Sequence, residues 1–166
     1  LELNPNLLEA GLAAAKSFPL KVPRGFAVRM EKGNPNDPLL QQVLPLGAEL
    51  NHQMGYGADP LQEMSVNPIP GLLHKYHGRV WVMLTSACAV HCRYCFRRDF
   101  PYEANHPGKN GWEKIFAYIR EHPAISEVIL SGGDPLVVSD KLLKQFSDQL
   151  TSIPQVKRLR IHTRLP

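Results

Sequence analysis

Arg79-Val80-Trp81-Val82-Met83-Leu84-Thr85-Ser86-Ala87-Cys88-Ala89-Val90-His91-Cys92-Arg93-Tyr94-Cys95 is the stretch that decides how this chain folds. Val80 to Leu84 is a continuous apolar run, as expected of a strand covered on both faces. A loop carrying every cysteine of the chain follows it directly. The same order recurs downstream. Trp112 to Glu121 has helical periodicity and Pro123 stops it. Glu127 to Leu130 reads as a second buried strand, followed by Ser131-Gly132-Gly133-Asp134-Pro135. Asp140 to Leu150 is an amphipathic helix with Ser139 or Asp140 as N-cap. Val156 to Ile161 reads as a third strand, followed by His162-Thr163-Arg164. Strand, loop and helix in repetition predict an α/β fold of right-handed parallel βαβ units. In a parallel β/α barrel the three loops would share the C-terminal rim, where such folds keep their sites.

The N-terminal part has a different texture. The first 70 residues hold nine of the fifteen prolines. Leu7 to Phe18 is built from good helix formers and is ended by Pro19. Pro23 is suited to open a short helix to about Arg29. Gly33 to Pro38 is a turn cluster, Leu39 to Leu44 one more short helix, and residues 45 to 72 read as irregular. The expected division is therefore a mainly helical and irregular segment over 1–78 and β/α units over 79–166. The chain begins at Leu1 rather than Met and stops at Pro166 just after an expected strand, so it reads as a piece of a longer protein.

Composition narrows the class. A hydrophobic fraction of 43% and a charged fraction of 20% describe a globular chain. A net charge of +4 is compatible with anionic cofactors. No basic stripe with interleaved aromatics suggests nucleic acid. No apolar run approaches a membrane span, and the first residues lack a signal-peptide pattern. Three clustered cysteines make a poor disulfide framework and point to a reducing cytoplasm.

Cys88, Cys92 and Cys95 form a C-x₃-C-x₂-C run. Three thiolates at this spacing can wrap one cubane iron–sulfur cluster and leave its fourth iron open to a small molecule. The competing reading is a zinc-stabilised binding module, a Cys₃His site completed by His91, His74 or His77. Ser131-Gly132-Gly133-Asp134 allows close backbone approach to a ligand, or is an ordinary strand-to-helix turn. Asp134 is suited to accept from an ammonium or to brace the turn. Arg97 and Arg98 are suited to clamp a carboxylate or phosphate, or are solvated loop charges. Arg79 and Lys75 could hold a phosphate or be surface charges. Tyr94 could lie against an adenine or pack the loop. Lys157, Arg158 and Arg160 read as solvent-side charges without a function.

Taken together these residues resemble the radical S-adenosylmethionine (SAM) enzymes, and more narrowly the lysine 2,3-aminomutase family. The resemblance rests on Gly71 to Arg79, Cys88 to Arg98, Ser131 to Pro135, Arg160 to Pro166, and Arg24 to Leu44. Cys95 to Tyr102 is most similar to the branch that makes β-lysine for modifying elongation factor P.

The resemblance implies a partial (β/α)₆ TIM-like radical SAM barrel, of which this chain holds the first half. It implies a [4Fe–4S] cluster on Cys88, Cys92 and Cys95, with SAM on the open iron and pyridoxal 5′-phosphate (PLP) as a further cofactor. An electron cleaves SAM, the adenosyl radical takes a β-hydrogen from L-lysine held on PLP, and the amino group moves from C2 to C3. By position, Tyr94 matches the aromatic of the cofactor loop. Ser131, Gly132, Gly133 and Asp134 match the segment receiving the methionyl amine, and His162 a residue near the adenosyl group. Arg97 matches the holder of the substrate carboxylate, and Arg79 a residue near PLP. Lys75 stands where catabolic members often carry arginine. The family's imine-forming lysine and its acidic side-chain readers fall outside the chain. The piece alone is therefore expected to be inactive, and poorly soluble because its sheet edge is open. The partners implied are L-lysine and an electron donor such as flavodoxin or ferredoxin, with no nucleic acid and no membrane; a homo-oligomer is compatible with this reading. The alternatives in the same class are a catabolic lysine or a glutamate 2,3-aminomutase.

Overall fold

The computed structural model describes residues 2–107 and 111–165. Pro166, the last residue of the family-like C-terminal segment, lies outside them. The chain forms two compact units. One comprises residues 1–58 and 89–98, the other 59–88 and 99–166.

The second unit is built on a four-stranded sheet in the order β1-β2-β3-β4. The strands are β1 (Leu72–Tyr76), β2 (Arg79–Met83), β3 (Glu127–Ser131) and β4 (Arg158–Ile161). β2, β3 and β4 are parallel, with Val82 opposite Leu130 and Leu130 opposite Ile161. Helices α3 (Gly111–Glu121) and α4 (Asp140–Thr151) make the crossovers, so the two expected βαβ units are present. Val80, Val82, Val128 and Leu130 face the helices, packing with Ile115, Phe116, Ile119, Phe146 and Leu150. Trp81 and Met83 point to the other face, against Leu73, Phe100, Tyr102 and Ile129. Both faces of β2 are covered, which is why its sequence is apolar without alternation. α4 begins where the sequence indicates: Ser139 is the N-cap and its side chain accepts from the Leu142 N–H.

β1 is the element the sequence reading missed. It pairs antiparallel with β2 through the two-residue turn His77-Gly78. The cue was the X-Gly dipeptide between two short runs. β4 starts at Arg158 rather than Val156, because the Lys157 and Arg158 N–H groups both donate to the Ser126 carbonyl at the entry to the strand. All four of its residues are exposed. Arg158 and Arg160 are not idle charges. They bracket Glu127, which is only 8% exposed, with nitrogen–oxygen distances of 3.0 and 2.9 Å.

The first unit holds α1 (Leu7–Ser17), α2 (Arg24–Ala27) and one-turn 3₁₀ segments at Leu40–Gln42 and Gly47–Leu50. The turn cluster before the first of these is organised by Asp37, whose carboxylate accepts from the N–H groups of Glu31, Leu39 and Leu40. Met30, Leu40, Val43 and Val90 make a small core, with Cys92 packed against it.

Candidate iron–sulfur and cofactor site

In the second unit the loops that follow the parallel strands are tied to one another. Beyond β2, Thr85 and Ala87 present their carbonyls to the N–H groups of Gly133 (3.1 Å) and Asp134 (2.8 Å). The Thr85 hydroxyl accepts from the Ala87 N–H and fixes the bend leading to Cys88. Two glycines make this approach feasible. A Cβ on Gly133 would lie 2.6 Å from the Thr85 oxygen and the Ser86 carbonyl carbon, and closer still to the Ala87 oxygen. Gly132 has φ +106°, and a Cβ there would lie 2.7 Å from the Trp81 ring. The Gly132 carbonyl accepts from the Tyr102 hydroxyl at 2.8 Å.

Asp134 is buried and draws the third loop in. One of its oxygens accepts from the Thr163 hydroxyl (2.6 Å) and the Leu136 N–H (3.0 Å), the other from the Arg164 N–H (2.7 Å). His162 is tied through its own N–H to the Leu130 carbonyl, and its side chain is exposed. The segment ending at Cys88, Ser131 to Asp134, and His162 to Arg164 therefore meet at the C-terminal ends of the parallel strands. Arg79 does not join them. It opens β2 at the opposite end, and its guanidinium lies 4.9 Å from the centre of the Tyr76 ring. Lys75 donates to the Leu61 carbonyl at 2.7 Å.

Cys92 and Cys95 belong to the first unit, in a tight turn where the Cys95 N–H donates to the Cys92 carbonyl. All three thiols are free of disulfides and partly exposed. Burial pushes the Cys95 thiol above its ordinary range, and neighbouring Cys92 adds to the push. The Arg97 N–H and the charges of Arg97 and Arg98 draw it back. Among the described residues no three His, Cys, Asp or Glu side chains are gathered as a metal-binding group. By its chemistry the set of three cysteine thiols, with no fourth cysteine in the chain, is nonetheless the donor set of a cluster with one open iron.

Glu49, which the sequence did not single out, anchors this turn. Arg93 meets it in a fork, with Nε to Oε1 at 2.9 Å and Nη2 to Oε2 at 2.5 Å. Arg98 reaches Oε2 at 2.8 Å. Arg93 also donates to the Phe18 carbonyl and, through its N–H, bonds the Gln42 carbonyl. His91 stacks on Phe18, with Nδ1 2.8 Å from the Pro19 oxygen. Arg97 and Arg98 are thereby given different surroundings: Arg98 goes to Glu49, and Arg97 lies 4.6 Å from the centre of the Phe96 ring. Tyr94 is 65% exposed. Burial alone would raise the Glu49 carboxyl, but hydrogen bonds from Arg93, Leu46 N–H and Arg98 outweigh it and hold the group down at about 2. Because the folded value lies below the ordinary 4.5, the stabilisation is full above about pH 4.5 and is lost as pH falls toward 2. After allowance for solvent screening this amounts to about 2 kcal/mol. Acid titration followed by denaturant melts should show it, and Glu49→Gln should flatten that part of the profile.

A family model described as a 4Fe-4S single cluster domain matches residues 76–159. The chain belongs to the 4Fe-4S single cluster domain family. Relatives of this member include L-lysine 2,3-aminomutase of Escherichia coli (strain K12), 52% identical over 96% of this chain and 46% of that protein. The enzyme of the same name from Haemophilus influenzae is 47% identical over 100% of this chain and 49% of its own length. That of Bacillus subtilis (strain 168) is 38% identical over 92% and 33%. The chain thus spans about half the length, or less, of these curated relatives. They bear out the resemblance to the lysine 2,3-aminomutase family, and the matched domain bears out the iron–sulfur reading. No described helix of this family member is long and apolar enough to cross a membrane.

Proposed function

We propose that the protein is a radical SAM, PLP-dependent L-lysine 2,3-aminomutase, and that this chain supplies its radical-generating part. The observation that carries the reading is the clasp between the two loops, Thr85 and Ala87 to Gly133 and Asp134. It sets a glycine-rich loop beside the residue that precedes Cys88, so a small molecule on a cluster there would meet backbone polar groups. The relatives' name adds lysine as substrate.

Cys88, Cys92 and Cys95 would ligate the cluster. When bound, the cluster supplies the electron that cleaves SAM, and PLP holds the migrating amine. Asp134 has both oxygens engaged by Leu136, Thr163 and Arg164, which makes it the brace of the rim. The methionyl amine then falls to the carbonyl oxygens of Ser131 to Gly133. His162 and Tyr94 are assigned to the adenosyl group and Arg97 to the substrate carboxylate; Arg79 keeps its assignment to PLP on the resemblance alone, since it opens β2 at the end away from these loops. No lysine of this chain is given the imine-forming role. Residues 79–166 are taken as the first three units of a partial (β/α)₆ barrel. A cytoplasmic setting, a flavodoxin or ferredoxin donor, and β-lysine destined for elongation factor P complete the reading. The lone cysteine triplet, without the second separated pair that zinc sites usually have, favours the cluster.

The test is turnover by the full-length protein, anaerobic, with SAM, PLP and a reductant. L-Lysine should give β-lysine. Turnover of glutamate in its place would support the alternative aminomutase.

A further inference from the structure

Glu49 is one carboxylate shared by two guanidinium groups, and both arginines belong to the cysteine loop. Arg93 lies between Cys92 and Cys95, and Arg98 three residues beyond Cys95. The side chains of Arg93, Glu49 and Arg98 are 6%, 15% and 19% exposed, so water screens their charges poorly. Phe18 lies against both arginines, its ring centre 4.9 Å from each guanidinium carbon. Removal of Glu49 would leave two unbalanced cations on the loop that carries Cys92 and Cys95, and one of them, Arg98, is near enough for its charge to act on the Cys95 thiol.

We propose that Glu49 is a positioning and charge-balancing residue of the cysteine loop, setting the reduction potential of the cluster that this loop holds. The inference rests on the cluster reading above. Counting three thiolates, a [4Fe–4S] cluster carries about one negative charge when oxidised and about two when reduced. Nearby cations favour the more negative state, so an unbalanced Arg93 and Arg98 would make reduction easier. Glu49 opposes this and keeps the cluster a strong reductant. A cluster that must pass an electron to SAM needs that strength.

The experiment is a mediated redox titration of the full-length protein, reconstituted anaerobically and followed by the EPR signal of the reduced cluster, with iron content determined alongside. Glu49→Gln should shift the midpoint to a more positive potential at unchanged iron content. Arg98→Gln should shift it more negative, and the double variant should return toward the wild type. An unchanged midpoint in Glu49→Gln with the cluster intact overturns the proposal while leaving the cluster reading standing. So does a shift that Arg98→Gln fails to offset. Should Glu49→Gln not assemble, Arg98→Gln alone decides: a more negative midpoint supports the proposal and an unchanged one overturns it. A wild-type protein without a [4Fe–4S] signal overturns the cluster reading, and this inference with it.

Discussion

Cys95→Ser is expected to abolish cluster assembly, with iron after anaerobic reconstitution falling from about four atoms per chain to near none. Serine keeps the size and shape of the side chain, so the turn with the Cys92 carbonyl survives and the unliganded fold should be little changed. What is lost is a soft donor that ionises when metal binds. Burial already makes the Cys95 thiol reluctant to ionise, so its thiolate depends on the cluster and on Arg97 and Arg98 nearby. A serine hydroxyl, far harder to deprotonate, cannot follow. Radical formation should vanish with the cluster, while far-UV circular dichroism stays the same. Full iron loading in the variant would remove Cys95 from the ligand set.

Gly133→Ala is expected to cost about 3 kcal/mol of stability, at the upper end for overpacking. The methyl group would be forced onto backbone atoms of Thr85, Ser86 and Ala87, which cannot swing aside as a side chain can. Relief requires parting the two loops and breaking the bonds from Gly133 and Asp134 to Thr85 and Ala87. The effect should therefore be twofold: a lower denaturant midpoint, and weaker SAM binding in whatever folded protein remains. Ser139→Ala, which removes the exposed N-terminal cap of α4, serves as the control and should lower stability by about 1 kcal/mol without touching SAM affinity. A Gly133→Ala protein as stable as the wild type would contradict the clasp.

Much of this was legible in the sequence where chemistry is local. The apolar run from Val80, the helical spacing of α3 and α4, the Ser139 cap and the cysteine spacing each depend on near neighbours in the chain. Gly132 and Gly133 were legible as special but not for the reason found: their missing Cβ atoms first make room for the chain's own atoms, the Trp81 ring at Gly132 and the backbone of Thr85 to Ala87 at Gly133. Glu49 was not legible. It lies 44 positions from Arg93, in a stretch punctuated by proline and glycine, and nothing local announces that partnership. Glu127 and its two arginines were hidden in the same way, since only parallel register brings Arg158 opposite Glu127. β1 was obscured because Leu72-Leu73-His74-Lys75-Tyr76 has no clean alternation; the hairpin turn, not the strand, carried the signal.

The central claim is that the three thiols hold one [4Fe–4S] cluster whose open iron takes SAM. EPR of the reduced, reconstituted full-length protein with and without SAM tests it most directly. The account predicts a brown protein with a single [4Fe–4S] signal whose g-values change when SAM is added. A colourless protein holding one tetrahedral zinc on the cysteines, or a cluster signal indifferent to SAM, would contradict it.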